Sequence, residues 1–277
     1  RRRWRLRWGR RLWRLRWMIG VGYRRALVPW LNARPPGVDC LEITAEHFYG
    51  EDEGRLAQLA TYPLFVHGLG LSLGSPGPLD QRRLQEFAGI AQIAQARWIS
   101  EHVALTRTTE TDLGHLNPVR PTRESARVLA DHASELSELC GRPLLLENIT
   151  SHLRLLGELS EPEFLNEVCA RAGCGLLLDV TNLHINSRNH GFDPLQWLAE
   201  LDATRIRQLH NVGYSERAGR LMDDHAAPIQ PELIELAQAV LERAPVEAII
   251  IEWDDAFPAA EGMDAEVAKL LQLDGRN

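Results

Sequence analysis

Acidic, amide and histidine side chains follow apolar runs throughout this chain of 277 residues, and these residue types bind metal ions. In LLLDVTNLHINSRNHG (176–191), a run suited to burial on both faces turns polar within a few residues. The polar residues found in this way are Glu46, His47, His67, Glu101, His102, Glu147, Asn148, Asp179, Asn182, His210, Asn211, Glu252 and Asp254, together with Asp223 and His225 of MDDHAAP (222–228). Converging imidazoles and carboxylates would repel or titrate abnormally without a cation among them, so the sequence predicts a metal cluster.

The number and type of these candidates limit which metals they suit. Four or more oxygen ligands with three or four imidazoles exceed what a four-coordinate zinc needs, which predicts about two or three metal ions. The chain has four cysteines, Cys40, Cys140, Cys169 and Cys174, and none forms the C-x-x-C pair of a thiolate site. Nitrogen and oxygen ligands suit iron, manganese or zinc, and ligand type alone leaves that choice open.

Eight short β-rich runs would place these residues at one end of a sheet. The runs are IGVG (19–22), VDCLEIT (38–44), PLFVHG (63–68), RWISEHV (97–103), PLLLENI (143–149), GLLLDV (175–180), RIRQLHNV (205–212) and EAIIIEWD (247–254). Segments with helical periodicity lie between them, including 79–96, 122–140, 160–173 and 231–244. This alternation predicts a parallel sheet, and eight units predict a (β/α)8 TIM barrel, whose sites form where the strands end.

A single histidine is more often a surface or hydrogen-bonded residue than a ligand, and we keep that interpretation for His115, His132 and His152. Acidic residues number 38 and histidines 10, so a two-residue window contains one of them roughly a third of the time at average usage. Such residues follow nearly every predicted strand. Their convergence therefore exceeds what composition explains.

The first seventeen residues, RRRWRLRWGRRLWRLRW, differ in composition from the rest of the chain. They contain nine arginines and four tryptophans and no acid. Two interpretations stand: an arm that binds a membrane surface or nucleic acid, or upstream sequence translated in error before Met18. We expect residues 1–17 to be an extension and residues 18–277 to form a single TIM-barrel domain.

The rest of the chain is acidic and shows no signal for export. Without the extension, 22 basic residues stand against 38 acidic ones, a net charge of −16, which disfavours contact with nucleic-acid phosphates. No run of eighteen apolar residues and no secretory signal is present, so we expect a cytoplasmic protein that binds neither membrane nor nucleic acid. The hydrophobic content of 44% is enough for a full core.

Several motifs together resemble the multinuclear non-haem iron-dependent oxidative enzymes, long catalogued as domain of unknown function 692, which include the methanobactin-biosynthesis-type peptide-modifying oxygenases. The matching stretches extend from Ile19 to about Phe257 and are GVGYR (20–24), EITAEHFYG (42–50), VHGLGLSLGS (66–75), SEHVALT (100–106), LLLENIT (144–150), LLLDVTNLHINSRNHG (176–191), QLHNVGYS (208–215), DDHAAPI (223–229) and IIIEWDD (249–255). The resemblance implies a TIM barrel related to the xylose-isomerase and endonuclease IV barrels.

The resemblance also implies roles for particular residues. Its metal ligands would be His67, His102, Glu147, Asp179, Asn182, His210, Asp223, His225 and Glu252, and Glu147 is expected to bridge two metals. Candidate catalytic residues are His190, which would line the substrate side or donate a proton, Arg24, which would bind a substrate carbonyl or carboxylate, and Glu46. The family usually has Glu-Asn where this chain has Glu46-His47, which puts the contribution of that loop in question.

The function implied by the resemblance is oxidation of cysteine, or of another residue, in a ribosomally synthesised precursor peptide. The implied cofactor is about two or three iron ions in mixed Fe(II) and Fe(III) states, with O2 as oxidant and a partner protein that presents the leader peptide. Two alternatives remain. The first is a redox-neutral zinc or manganese barrel, either a sugar isomerase or an endonuclease IV-like phosphodiesterase, although Asn182 stands where the latter would have histidine. The second is a non-catalytic barrel in a peptide-maturation complex.

Overall fold

The computed structural model describes residues 17–50, 53–108 and 111–273. The strands are β1 (Met18–Gly22), β2 (Cys40–Thr44), β3 (Leu64–Gly68), β4 (Ile99–His102), β5 (Ala104–Arg107), β6 (Asp112–Pro118), β7 (Leu144–Glu147), β8 (Gly175–Asp179), β9 (Ile206–His210), β10 (Gly213–Arg217), β11 (Arg220–Ala227) and β12 (Ala248–Ile251). The helices are α1 (Val28–Asn32), α2 (Glu53–Leu59), α3 (Gln81–Ile93), α4 (Arg123–Cys140), α5 (Glu161–Ala172), α6 (Val180–His190), α7 (Pro194–Glu200), α8 (Pro231–Leu241) and α9 (Ala260–Leu273).

Eight of these strands close into a parallel barrel in the order β1-β12-β9-β8-β7-β4-β3-β2, with β1 hydrogen-bonded to both β2 and β12. The eight barrel strands are the eight runs predicted from sequence, so the TIM-barrel prediction is confirmed. The four helices α3, α4, α5 and α8 begin and end within three residues of the predicted helical segments. Ser160 caps α5 in a capping box with Glu163, a spacing that is visible in the sequence.

The barrel interior is filled in layers, because side chains along a strand alternate between its two faces. The apolar layer is one buried cluster of Cys40, Phe65, Trp98, Leu145, Leu177, Ala248 and Ile250. Two residues further along six of these strands stand buried polar groups, namely Glu42, His67, Ser100, Glu147, Asp179 and Glu252. The polar layer therefore faces the same interior, above an apolar floor and at the carboxyl end of the barrel.

Two local features extend what the sequence predicts. Asp179 ends β8, and its carboxylate accepts a hydrogen bond from the Asn182 backbone nitrogen, so α6 starts at once and Asn182 lies in its first turn. The stretch MDDHAAP (222–228) lies largely in β11, which pairs antiparallel with β10 in a hairpin at the barrel mouth.

The Arg/Trp-rich extension, interpreted above as a binding arm or as upstream sequence, lies outside the described residues except for Trp17. In the ranges that the structure describes, no helix is both long enough and apolar enough to cross a membrane.

Gly20 of β1 is a position where the barrel wall has no room for a side chain. A Cβ atom there would lie 2.6 Å from the Cys40 sulfur and 2.7 Å from Ile250 Cδ1. We expect Gly20→Ala to lower the free energy of unfolding by about 1–3 kcal/mol, measured by urea denaturation. The control is Gly89→Ala in α3, where nothing lies within 4 Å, and which should gain up to about 1 kcal/mol. Equal free energies of unfolding for Gly20→Ala and the unchanged protein would show that the barrel wall has room for a Cβ atom at this position.

Candidate metal centre

The first ligand cluster consists of His67, His102 and Glu147, all buried at the ends of β3, β4 and β7. The Nε2 atoms of His67 and His102 lie 3.4 Å and 3.5 Å from Oε2 of Glu147. The two imidazole rings meet edge to face with centroids 4.6 Å apart. Both rings therefore present a nitrogen to the same carboxylate oxygen.

The second cluster consists of Glu147, Asp179, His210 and Glu252, and one ligand atom of each lies within 4.8 Å of the others. Nδ1 of His210 is 3.1 Å from Oε1 of Glu147 and 2.9 Å from Oε2 of Glu252. Glu147 thus belongs to both clusters, with Oε2 facing the first and Oε1 facing the second. This is the arrangement that a bridging carboxylate requires.

A third cluster lies nearer the surface and consists of His225, Glu252 and Asp254. His225 comes from the β10–β11 hairpin and has a left-handed backbone with φ of 47°. Its Nδ1 lies 3.2 Å from Asp254 and 3.7 Å from Glu252, while its Nε2 lies 2.6 Å from Oδ1 of Asp223. The Asp254 side chain is 41% exposed, so this cluster is the most open to solvent of the three.

Contacts behind the first cluster fix the orientation of its imidazoles. His67 Nδ1 is 2.8 Å from the hydroxyl of Ser100, and His102 Nδ1 donates to the backbone carbonyl of Gly68 at 3.1 Å. When the second ring nitrogen of a histidine is held in this way, the first is free to bind a metal in a defined direction. In both residues Nε2 is that atom.

Burial and neighbouring charges shift the pKa values of the site in opposite directions. Burial and the adjacent His102 hold the pKa of His67 well below its usual range, so this ring is neutral and keeps its lone pair. Burial also lowers the pKa of His102, but the carboxylates of Glu147 and Glu101 outweigh it and raise the value to about 9. Burial and the charge of Glu147 raise the pKa of Asp179 well above its usual range. The carboxylates of the centre therefore coexist only with cations or bound protons among them.

Several buried polar atoms of the two inner clusters make no hydrogen bond. They are Nε2 of His67, Oε2 of Glu147 and Oδ2 of Asp179. A buried polar group without a hydrogen bond is unfavourable by about 1–3 kcal/mol, and metal coordination would remove that penalty. The donors are imidazole nitrogens and carboxylate oxygens, which suit iron, manganese or zinc. The residues therefore fit metal ions at both inner clusters.

Two proposed ligands, Asn182 and Asp223, lie beside these clusters rather than in them. The amide of Asn182 accepts a short hydrogen bond from the Thr150 hydroxyl and donates to the carbonyl of Asn148 at 3.2 Å. This hydrogen bond uses one of the two lone pairs of the amide oxygen and leaves the other for a metal ion. Asp223 contacts His225 as described, and its charge also acts on Asp179.

The three candidate catalytic residues lie at different places around the barrel mouth. Arg24 donates to Asp254 at 2.6 Å and lies 3.6 Å from Glu252, so it borders the metal clusters. Glu46 accepts hydrogen bonds from the backbone nitrogens of Leu69 and Gly70, and thereby anchors the glycine-rich loop after β3. His190 ends α6, where its Nε2 donates to a carbonyl, and it belongs to none of the clusters found in the described residues.

Glu42 is a buried acid of the centre that the strand-end reasoning missed. It lies in the middle of β2 and its Oε1 is 2.7 Å from Nε2 of His210. The available signal was its position two residues after Cys40 in a run otherwise suited to burial, which places it on the inward face. Asp254 was singled out at a strand end, but the resemblance did not include it among the ligands.

Two bacterial proteins are similar in sequence to this chain along most of its length. A UPF0276 protein of Anaeromyxobacter sp. (strain Fw109-5) is 36% identical over 245 residues, covering 86% of this chain and 86% of that protein. A UPF0276 protein of Acaryochloris marina (strain MBIC 11017) is 33% identical over 251 residues, covering 89% of this chain and 91% of that protein.

Solved structures of other TIM barrels share the fold at low sequence identity. D-psicose 3-epimerase of Clostridium cellulolyticum H10 superposes with a TM-score of 0.64 at 14% identity, covering 94% of this chain and 99% of that one. A xylose isomerase domain protein of Planctomyces limnophilus gives 0.57 at 12% identity, with coverage of 93% and 96%. Endonuclease IV of Thermus thermophilus gives 0.57 at 17% identity, with coverage of 92% and 99%. These likenesses confirm the xylose-isomerase-like fold.

The family to which the chain belongs follows from a match along nearly all of the barrel. The family model described as RiPP precursor modification enzyme MbnB/TglH/ChrH, where RiPP denotes a ribosomally synthesised and post-translationally modified peptide, matches residues 18–274. That span includes every residue of the three clusters. The chain belongs to this family of RiPP precursor modification enzymes.

Proposed function

We propose that this protein is a multinuclear iron-dependent oxidative enzyme that uses O2 to modify cysteine, or another residue, of a ribosomally synthesised precursor peptide. The observation that supports it most directly is the shared position of Glu147 between two buried ligand clusters. Chemistry that divides electrons between metals needs two adjacent clusters, and two-metal hydrolysis uses the same arrangement, so the choice of oxidation rests on the resemblance described above. Membership of a peptide-modifying family supports a peptide as the substrate.

His67 and His102 would hold one iron together with Glu147, and Asp179, His210 and Glu252 would hold the second with the same carboxylate. A further iron would bind at the third cluster, with Asp223, which lies beside His225, and Asn182 as additional ligands. Iron bound by such donors supplies one-electron redox chemistry and an open position for an exogenous ligand. The apolar floor beneath the centre and the burial of both inner clusters exclude bulk water from it.

A cavity of about 370 Å³ beside the centre supports a peptide substrate. Its lining includes Asn148, the residue after the bridging carboxylate, and extends past His190 to the loop that follows β7. In that loop Leu153 and Leu156 are 65% and 75% exposed, which is unusual for large apolar side chains. We propose that the cavity receives the peptide next to its reacting residue, with His190 on the substrate side, and that the exposed leucines contact the peptide or the partner that presents its leader.

A smaller pocket of about 230 Å³ lies on the other side of the mouth and is lined by Tyr23, Arg24, Arg25, His47 and Arg55. Arg24 joins it to the metal centre through Asp254 and Glu252. Guanidinium groups bind carboxylates with defined geometry, so we assign to Arg24 the recognition of a substrate carbonyl or carboxylate. In this proposal Glu46 supports the site by holding the glycine-rich loop in place.

The test is elemental analysis and Mössbauer spectroscopy of the protein expressed with iron and purified without oxygen. We expect about two or three irons per chain, partly ferrous, and oxygen consumption on adding a precursor peptide encoded beside the gene. Zinc or manganese instead of iron, with turnover under strict anaerobiosis, would replace the proposal with a redox-neutral metal barrel. Absence of any bound metal would favour a non-catalytic partner in peptide maturation.

A further inference from the structure

A buried chain of hydrogen bonds crosses the barrel interior and ends at His210. Trp98 Nε1 donates to Oε1 of Gln208 at 2.6 Å, and Nε2 of Gln208 donates to Oε2 of Glu42 at 2.5 Å. The other oxygen of Glu42 lies 2.7 Å from Nε2 of His210. All four side chains are buried, and Trp98 also stacks on Phe65 with ring centroids 4.1 Å apart.

The donor and acceptor roles along this chain are fixed from its far end. An indole nitrogen only donates, so the amide oxygen of Gln208 must face Trp98 and its amide nitrogen must face Glu42. Nε2 of His210 lies 2.7 Å from Oε1 of Glu42 and 3.1 Å from Nε2 of Gln208. The carboxylate is the closer partner, and an ionised carboxylate only accepts, so the proton between Glu42 and His210 belongs to His210 Nε2. In the neutral imidazole the lone pair is then on Nδ1, which is the atom that faces Glu147 and Glu252.

We propose that Glu42 is a positioning residue that holds His210 in the tautomer protonated on Nε2, so that Nδ1 is its metal-binding atom. The inference rests on the proposed metal-binding function, but not on iron, oxygen or a peptide. Gln208 and Trp98 serve the same end, because the indole fixes the orientation of the Gln208 amide and that amide donates to one oxygen of Glu42, which leaves the other oxygen to accept from His210. The apolar layer of the barrel thus takes part in the site above it.

A carboxylate lies behind the imidazole of His210 and also behind that of His102. Nδ1 of His102 is 3.1 Å from the carbonyl of Gly68 and 3.4 Å from Oε1 of Glu101, whereas Nε2 of His210 is 2.7 Å from Oε1 of Glu42. A carboxylate behind an imidazole raises its basicity and strengthens it as a ligand. Of the two carboxylate contacts, that of Glu42 with His210 is the shorter.

The direct test is nitrogen-15 NMR of the histidine-labelled full chain loaded with Zn²⁺, which is diamagnetic. We expect His210 to show a protonated Nε2 and a zinc-bound Nδ1. A zinc-bound Nε2 in His210 would overturn the proposal. Because the measurement needs no substitution, a variant that fails to fold cannot obscure it. If zinc does not bind at all, the proposed metal centre fails as well, and that outcome is distinct from the wrong tautomer.

Three variants separate orientation from charge, with Zn²⁺ affinity measured by chelator competition. Glu42→Leu should weaken binding at the second cluster by about 10- to 100-fold, the usual effect of losing such a partner. In Glu42→Gln the new amide either sets its nitrogen against that of Gln208 or turns it toward Nε2 of His210, which favours the tautomer protonated on Nδ1, so this variant should also bind zinc less tightly. The double variant Glu42→Gln/Gln208→Glu restores every donor to an acceptor and moves the charge one residue away, so it should recover the tautomer but only part of the affinity.

The matched control is Glu266→Gln, which changes another buried glutamate outside the centre, paired with Lys269 at 2.8 Å. It should lower stability without changing zinc affinity or the His210 tautomer. Unchanged zinc affinity in Glu42→Leu, or a double variant no better than Glu42→Gln, would show that Glu42 only fills space.

Discussion

Glu147→Ala is expected to remove metal from both inner clusters at once, because each of its two oxygens faces a different cluster. His67→Ala should deplete only the first cluster, since His67 is a candidate ligand of that cluster alone. The measurement is metal content per chain by elemental analysis after anaerobic purification, together with the rate of peptide oxidation. We expect metal from the inner clusters to be close to zero in Glu147→Ala and about half retained in His67→Ala, with oxidation lost in both.

The control for this pair is His115→Ala, a histidine on the β5–β6 hairpin that is absent from all three clusters. It should keep full metal content. Glu147→Gln tests charge at nearly constant shape, and an amide offers only one oxygen, so it should retain no more than one inner metal. Full occupancy of both clusters in Glu147→Ala would refute the bridging role and would leave two independent sites.

Much of the barrel and of its candidate centre could be predicted because they depend on short-range patterns. The runs ending at Glu147 and Asp179 are apolar enough to read as buried strands, and parallel strands bring their carboxyl ends to one face. Those two rules are sufficient to predict that His67, His102 and His210 lie close together, without knowledge of any interatomic distance. The predicted ligands of the inner clusters therefore lie together in the structure.

The remaining features depend on contacts between residues that are far apart in the sequence, which short-range patterns do not predict. Glu42 and His210 are 168 residues apart, and their contact depends on both strands facing inward at the same height of the barrel. His225 reaches the centre because its strand folds back over the mouth in a hairpin, and a run such as MDDHAAP has no alternation that would predict a strand. Asn182 is a separate case, because the N-cap role of Asp179 starts α6 directly after β8 and places Asn182 in the first turn of that helix.

These features point to a conflict between stability and metal binding at the centre. Buried carboxylates that serve as ligands repel one another, and burial itself disfavours their charged forms. The neighbouring imidazoles and hydrogen bonds to individual carboxylate oxygens stabilise these carboxylates inside the barrel. Asp179 shows the conflict most clearly, since one of its oxygens caps α6 while the other is buried without a hydrogen bond.

Substitutions of Asp179 should therefore separate the two roles of its carboxylate. Asp179→Asn keeps an acceptor for the Asn182 backbone nitrogen and removes a buried charge next to Glu147, so without metal it should be at least as stable as the unchanged protein. Asp179→Ala loses the cap as well and should be less stable than Asp179→Asn by about 1 kcal/mol. Both should bind metal poorly at the second cluster, and both comparisons use urea denaturation with and without added Zn²⁺.

Adding Zn²⁺ gives the contrast that decides between these roles. At a free concentration of 100 times its Kd, zinc should stabilise the unchanged protein by about 2.7 kcal/mol and should stabilise either variant much less. The control is Asp193→Asn, which changes the cap of α7, where the carboxylate accepts a hydrogen bond from Leu195, and which should respond to zinc as the unchanged protein does. If Asp179→Asn proved strongly destabilised without metal, the charge would be needed by the fold itself. The gain that we expect instead is what a carboxylate kept for metal binding should show, because its removal relieves a repulsion that otherwise requires a cation or a bound proton.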